Sequence, residues 1–357
     1  MLPVIPVILM AIQPAAYNPR PDLEAGHYLK VSAEAEAQLR RSPNYALAWA
    51  AKSQALISFQ RVPEALDAAE KAVSLNGGLA DALLARGLAR GGLAVQQRNF
   101  GSLKSISGAL DDLEAAVKAD PGLVSGWMTL GIAYQQLPGL LGGSTRKALG
   151  CAENLRKVNP AKGDLLQGMV LSMDERWSEA LPYFGRALSV APGDSEVVYG
   201  YLDALGSRET RRTIGDAEQK RRLAAEARRL LPAVRNRARA VEAVSLALLD
   251  AGQPEEAWTV AKEALNKVEA PSLVRLQLGK IAARAGIHRE EGLAFLDQVL
   301  REPLEGGSGG LPAAHWRRGQ ILKDLGRKEE ARTEAQAALK LDQKHKGAKR
   351  LLQELGG

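Results

Sequence analysis

Apolar residues recur along this chain at the spacing of an amphipathic helix, in which positions three, four and seven residues apart share one face. In the segment Trp127–Tyr134 the sequence WMTLGIAY places a tryptophan, a leucine and a tyrosine on one such face, beside a glycine that permits a close helix contact. Farther on, Ala180, Phe184 and Ala187 share a second face, and Pro192 follows where that helix would end. The pattern therefore predicts two helices that pack tightly against each other.

Versions of this pair of patterns return about eight times along the chain, which predicts a repeat array. Most units combine a small residue in the first helix with alanines in the second. The backbone is expected to need a positive φ where the first helix turns into the second, at Gly252, Gly286 and Gly326. Alternating β-branched runs are scarce, so no sheet is predicted.

The segments W-x-x-L-G-x-x-Y at Trp127 and A-x-x-x-F-x-x-A at Ala180 resemble the two helix signatures of the tetratricopeptide repeat. This resemblance implies an all-α fold, a right-handed α-solenoid of about eight tetratricopeptide-like helix pairs whose first helices line a concave groove. Residues 17–45 are predicted to form an N-terminal helical segment, residues 46–343 the repeat array, and residues 344–357 a C-terminal capping helix.

Residues 1–16 contain a short apolar run, Leu2–Ile12, which is too short to cross a bilayer but has the length of a signal-peptide core. A basic start and a clear A-x-A cleavage site are missing. We predict an exported protein of bacterial type, periplasmic or secreted, with a cytoplasmic protein as the alternative. In that alternative the run is an apolar arm that packs on the first helices.

Several units are longer than the repeat consensus, and the extra residues are expected between helices. They lie at residues 101–108, 137–144, 206–216 and 301–312. The segment 137–144, LPGLLGGS, is also similar to a stretch of the periplasmic repeat proteins that serve TRAP-type transporters. The alternative is a plain turn in which Ser144 or Thr145 caps the next helix.

The charge of the chain is uneven. Its formal net charge is +7, and the stretch Arg208–Arg239 alone holds 11 Lys/Arg against 4 Asp/Glu, an equal excess. Such a stretch can attract nucleic acid or anionic lipid. It contains no aromatic residue for base stacking, and a solvated helix face is the simpler interpretation, so nucleic acid is not expected as a partner.

Groups that could support catalysis or metal binding are scattered. The triplet Gly306, Ser308 and Gly310 matches G-x-S-x-G by its letters, but it lies in a glycine-rich linker between helices and lacks the preceding strand of a nucleophile elbow. The four histidines lie in different units, without partners at metal-ligand spacing. The single cysteine, Cys151, is expected to be a small buried residue. We predict no enzyme, no cofactor and no metal site.

The phase of the first helices predicts a concave face in two parts. The middle units contribute Met128, Ile132, Gln136, Leu165, Met169, Met173 and Tyr201. The last units contribute Lys280, Arg284, Trp316 and Arg317. A phase error of one residue would instead place these side chains in the core between helices. The Lys/Asn carboxylate clamp of chaperone-binding repeat domains is absent from the matching positions, so the resemblance does not imply capture of an acidic C-terminal peptide.

These observations predict a non-catalytic scaffold that binds a protein or peptide in the concave groove. Methionine-rich surfaces adapt to apolar partners, which leaves an alternative. In that alternative the chain carries a small apolar ligand, or is a transporter accessory protein in the periplasm.

Overall fold

A computed structural model describes residues 17–97, 101–268, 270–302 and 310–356 of the chain. These residues form twenty α-helices and no strand, which confirms the predicted all-α class. The predicted signal segment and Ser308 lie outside the described residues. The helices are α1 Arg20–Ala25, α2 Tyr28–Arg41, α3 Ala46–Ser58, α4 Val62–Leu75, α5 Ala80–Gln97, α6 Gly101–Ala119, α7 Val124–Gln136, α8 Thr145–Val158, α9 Pro160–Met173, α10 Trp177–Val190, α11 Ser195–Gly206, α12 Arg208–Ile214, α13 Asp216–Val234, α14 Ala238–Asp250, α15 Pro254–Ala264, α16 Pro271–Ala285, α17 Arg289–Arg301, α18 Gly310–Asp324, α19 Lys328–Leu341 and α20 Lys346–Glu354.

Helices α3 to α19 form eight consecutive helix pairs, which we number as units 1 to 8 in chain order. Unit 5 pairs α11 with α13 and carries α12 as an additional short helix between them. At the C-terminal end α20 packs on α19 and α18, and its Ala348 and Leu351 are buried. The predicted capping helix is therefore confirmed, and it covers the apolar face that unit 8 would otherwise expose.

Contacts between units define an inner and an outer side. From α7 onward each first helix packs on the first helix of the next unit, whereas second helices of neighbouring units make no extensive contact within the described residues. The first helices therefore line the inner, concave side and the second helices the outer side. The array curves far enough that a Cβ on Gly310, at the start of α18, would lie 3.2 Å from Nε2 of Gln60 in unit 1.

The predicted insertions have different outcomes. Residues 101–108 belong to α6, and most of residues 206–216 form α12, so these additions are helical and not loops. In unit 2 the longer helices bring Arg86 and Arg90 against the buried carboxylate of Asp112, at 2.5 and 2.8 Å. This ion-pair cluster holds α5 and α6 together over the added length.

The insertion at 137–144 is a turn that contains a short 3-10 helix, Gly139–Leu141. Oγ of Ser144 accepts a hydrogen bond from the backbone N–H of Lys147 at 3.3 Å and caps α8. This confirms the plain-turn alternative. Most of the insertion at 301–312 lies outside the described residues.

The turns between first and second helices show the predicted backbone. Gly252, Gly286 and Gly326 have φ values of 79°, 70° and 79°, which confirms the prediction. In units 1 and 4 the same kind of turn is made by Gln60 and Glu175, at φ values of 61° and 60°. A side chain is strained in this left-handed region, so these two turns cost free energy that the glycine turns do not.

We expect the substitution Glu175→Gly to stabilise the array by about 0.5–1 kcal/mol and Gly326→Ala to destabilise it by about 1–2 kcal/mol. Glycine relieves the strain of positive φ at the first position, whereas alanine introduces it at the second. Both turns are exposed, and no described atom lies within 4 Å of a Cβ on Gly326, so side-chain packing contributes little. Urea denaturation of both variants measures the two effects, and equal signs would contradict the strain argument.

Candidate functional site

The inner side of units 5 to 8 carries a row of polar side chains, which we call the C-terminal groove. On α14 the residues Arg239, Glu242, Leu246 and Asp250 recur at spacings of three and four, so they share one helix face. The guanidinium of Arg239 lies 4.0 Å from the ring centre of Tyr199 on α11. At the other end of α14, Asp250 Oδ1 accepts a bond of 2.6 Å from the guanidinium of Arg284 on α16. The face of α14 thus connects α11 to α16. The groove residues are Tyr199, Asp203, Arg239, Glu242, Leu246, Asp250, Lys280, Arg284, Arg317 and Gln320.

A small cleft of about 50 Å³ lies between α11 and α14. It is lined by Tyr199, Leu202, Asp203, Gly206, Leu223, Ala243, Leu246, Ala247 and Asp250. The carboxylate of Asp203 keeps contact with solvent, but the surrounding protein and the nearby charge of Asp250 raise its pKa. This end of the groove is therefore acidic.

The other end of the groove, on α16 and α18, is basic. Burial lowers the pKa of Lys280, and the charges of Arg317 and Arg284 lower it further, while Glu242 and Asp250 act in the opposite direction. Burial, with the nearby charge of Arg284, lowers the pKa of Arg317 to about 10. Arg317 donates one hydrogen bond of 2.8 Å to the side-chain oxygen of Gln320. The structure thus brings together Lys280, Arg284 and Arg317, as the sequence predicts.

Trp316, predicted in the same set, lies at the edge of this group. Its ring stacks on the guanidinium of Arg317 at 3.8 Å and meets the ring of His345 edge-on at 5.1 Å. A Cβ on Gly347 would lie 2.3 Å from the Trp316 ring, so the start of α20 covers one side of the indole. Trp316 therefore supports Arg317 more than it faces the open groove.

The predicted residues of the middle units are only partly exposed. Met128, Ile132 and Met169 are half-buried and pack on the core, while Gln136 is exposed and Met173 is 40% exposed. Leu165 corrects the predicted set, because it is only 1% exposed. Gly200 of α11 lets that helix approach so closely that a Cβ there would lie 3.0 Å from Leu165. The neighbouring unit therefore covers this side chain.

Tyr201 also departs from the prediction. Its ring lies near Glu226, Arg229 and Arg222 of α13, the second helix of its own unit, and so does not face the groove. The packing of Gly200 accounts for this orientation. Gly168 faces Phe184 on the second helix of its own unit, whereas Gly200 faces Phe184 of the preceding unit. The inner face of α11 therefore carries Tyr199 and Asp203.

Most cations of the basic stretch Arg208–Arg239 are occupied by carboxylates. Arg221 and Arg222 both bind Glu218, Arg229 binds Glu226, Lys220 binds Asp216, and Arg228 binds Glu256 of the next unit. This pairing, on the outer side of unit 5, agrees with a solvated helix face.

Residues with reactive side chains have structural roles. His288 stacks on Trp258 at 4.5 Å, and Nδ1 of His345 accepts a bond from the backbone of α20. Cys151 is buried as predicted, and burial raises the pKa of its thiol to about 12. Within the described ranges no three His, Cys, Asp or Glu side chains are placed to hold a metal ion. No described helix combines the length and the apolar character needed to cross a bilayer.

Comparisons with known proteins agree with the repeat pattern. Residues 312–345 match the family model of the tetratricopeptide repeat. No curated protein matches the chain. Yeast Tom70 is similar in structure at a TM-score of 0.48 and 14% identity, over 94% of this chain and 79% of that chain. A thermophilic tetratricopeptide-repeat protein of Thermus thermophilus is similar at a TM-score of 0.44 and 19% identity, over 53% of this chain and 99% of that one. A tetratricopeptide-repeat protein of Parabacteroides merdae is similar at a TM-score of 0.42 and 13% identity, over 85% of this chain and 95% of that chain. The resemblance of residues 137–144 to partners of TRAP-type transporters finds no support.

Proposed function

We propose that this chain, in which residues 312–345 match the family model of the tetratricopeptide repeat, is a non-catalytic scaffold that binds a protein or peptide segment along its inner side. The observation that carries this proposal is the C-terminal groove. Its side chains project from four consecutive first helices onto one surface, and several of them are polar without being fully paired. An extended or helical segment that lies across α11, α14, α16 and α18 would contact all four helices at once.

The alternative, a carrier of a small apolar ligand, receives less support from the described residues. Sites for small ligands are mostly apolar and enclose about 300–1,000 Å³. The cleft between α11 and α14 has about 50 Å³ and includes two carboxylates. Met173, the most exposed methionine of the predicted middle face, lies open to solvent. The open inner surface is therefore better suited to a peptide.

The cellular location of the protein is proposed from the sequence of residues 1–16. We propose export to the periplasm or secretion, with the cytoplasm as the alternative, since the apolar run has the length of a signal-peptide core.

We expect Leu246→Arg to lower the affinity for groove-binding peptides at least about tenfold, because the long side chain fills the cleft and leaves less of the surface free. Its charge lies near Asp203 and Asp250, so the fold should tolerate it. The matched control is Ala294→Arg, on the exposed side of the second helix α17. Peptides selected from a random library on the wild-type chain, then titrated against both variants, provide the measurement. Equal affinities for Leu246→Arg and the wild type would show that binding does not use this groove.

A further inference from the structure

Two cations of the C-terminal groove lack an acidic partner. Lys280 on α16 and Arg317 on α18 are half-buried, and neither forms an ion pair with a carboxylate of the described residues. Most half-buried cations elsewhere in the described residues are paired, although Arg289 and Arg332 are also without an ion pair. Arg86 binds Asp112, Lys162 binds Asp194 and Glu196, and Arg318 binds Asp297 and Glu334. Lys280 and Arg317 differ from Arg289 and Arg332 because they lie on neighbouring first helices and share one groove.

This arrangement is unfavourable in the free protein. A cation that loses part of its water without gaining a counter-charge costs free energy, and like charges nearby add to that cost. Arg284 adds a third positive charge near both, although it is bound to Asp250. One turn before Lys280 on the same helix, Gln277 is 1% exposed, and both polar atoms of its side chain lack a hydrogen-bond partner. Polar groups of α16 are therefore left unsatisfied where it meets the groove.

The charge balance of the groove indicates what kind of anion would fit. Four cations, namely Arg239, Lys280, Arg284 and Arg317, face three carboxylates, namely Asp203, Glu242 and Asp250. Over the whole groove one positive charge remains in excess, and the two unpaired cations, Lys280 and Arg317, lie on the side of α16 and α18. A single carboxylate would neutralise it, whereas a dianionic phosphate would leave a negative excess beside Glu242 and Asp250.

We propose that Lys280 and Arg317, with Arg284 beside them, bind a carboxylate of an acidic peptide segment that lies along the first helices of units 5 to 8. This proposal rests on the proposed scaffold function and names the class of its partner. Charge-assisted hydrogen bonds from the ammonium and the guanidinium to one carboxylate would supply the missing counter-charge. At the opposite end of the groove, the acidic cleft at Asp203 repels carboxylates of the bound segment. This repulsion gives the segment a preferred direction.

This site differs from the carboxylate clamp that the sequence lacks. That clamp combines lysines with asparagines, whereas the groove combines Lys280 and two arginines on neighbouring helices with carboxylates close by. The nearby carboxylates limit the excess charge to one. One carboxylate is therefore enough for the site, which does not require a chain terminus.

The test compares three fluorescent dodecapeptides, in which alanine alternates with glutamate, glutamine or lysine, by titration with the full chain at low and high salt. We expect the glutamate peptide to bind at least about tenfold more tightly than the glutamine peptide. The double variant Lys280→Met with Arg317→Gln should remove this advantage. The matched control, Lys340→Met with Arg212→Gln on exposed positions away from the groove, should keep it. Since the double variant removes unpaired cations, its melting temperature should not fall, and circular dichroism separates lost binding from lost folding.

Several outcomes would overturn the proposal. If the glutamate and glutamine peptides bind equally and Leu246→Arg weakens both, the scaffold function stands but the carboxylate site is wrong. If the control variant loses as much affinity as the groove variant, the attraction comes from the general charge of the chain. If inorganic phosphate displaces the glutamate peptide at lower concentration than acetate does, the site prefers phosphate. If none of the three peptides binds although library-selected peptides do, the carboxylate site is wrong and the scaffold function stands, and if neither kind of peptide binds, both proposals fail.

Discussion

Alanine at Gly163 is expected to destabilise the array strongly, whereas alanine at Gly185 is expected to stabilise it. Both glycines lie inside helices of unit 4, Gly163 in α9 and Gly185 in α10. A Cβ on Gly163 would lie 2.4 Å from Cα and 2.5 Å from the backbone nitrogen of Arg156 in α8. Backbone atoms cannot turn aside, so α8 and α9 would have to move apart. A Cβ on Gly185 would meet no described atom within 4 Å.

The two substitutions should therefore change the free energy of unfolding in opposite directions. Overpacking against a fixed backbone costs about 3 kcal/mol, and separation of α8 from α9 would also weaken the bonds from Arg156 to Asp164. Alanine in place of an unconstrained helical glycine contributes about 0.5–1 kcal/mol of stability. Urea denaturation followed by circular dichroism measures both variants against the wild type. If Gly163→Ala is as stable as Gly185→Ala, the close approach of α8 and α9 is wrong.

The repeat fold could be predicted because its determinants are local. The packing residues of each helix pair lie within about 34 residues of sequence. A glycine between two helices also indicates a positive φ at that turn, as at Gly252, Gly286 and Gly326. The prediction of inserted loops failed where the extra residues extend or form a helix. Residues 101–108 contain glycines and serines that suggested a loop, but they form the first turns of α6, which is held to α5 by the ion pairs of Asp112. Those ion pairs join residues more than twenty positions apart, so the local pattern did not reveal them.

The groove was predicted less completely, because a groove depends on how each helix is rotated. On α16 and α18 the structure brings Lys280, Arg284 and Arg317 together, but Trp316 lies at the edge of this group. The predicted helical phase was wrong on α11, because Gly200 packs against Phe184 of the preceding unit. The contribution of α14 was missed, although its charged residues at 239, 242 and 250 recur on one face and could have indicated it. Whether a cation is paired depends on a neighbouring unit, as for Arg284 and Asp250, and this cannot be deduced from one helix alone.

Phe184 determines the rotation of α11, so its removal should have the second large effect. It is 2% exposed, and its ring lies within 2.9 Å of a Cβ built on Gly168 and within 2.8 Å of one built on Gly200. One ring therefore fills the space that two glycines leave between α9, α10 and α11. Phe184→Ala should cost about 3–5 kcal/mol, since neither glycine has a side chain that could fill the cavity.

Units 4 and 5 pack on their neighbours along the array, and the approach of unit 8 to unit 1 involves neither of them, so the damage should remain local. In Phe184→Ala we expect amide hydrogen exchange to accelerate in α9, α10 and α11, while α18 and α19 keep their protection. The glutamate peptide should retain its contact with Lys280 and Arg317, because α16 and α18 lie beyond the damaged units. The matched control is Phe295→Ala on the second helix α17, a half-buried aromatic residue that lies next to Leu296 and does not face a first-helix glycine, and this substitution should cost less. Exchange in Phe184→Ala that accelerates equally in every helix would contradict this prediction. In that case the chain unfolds as one cooperative body, and the orientation of α11 does not depend on this ring alone.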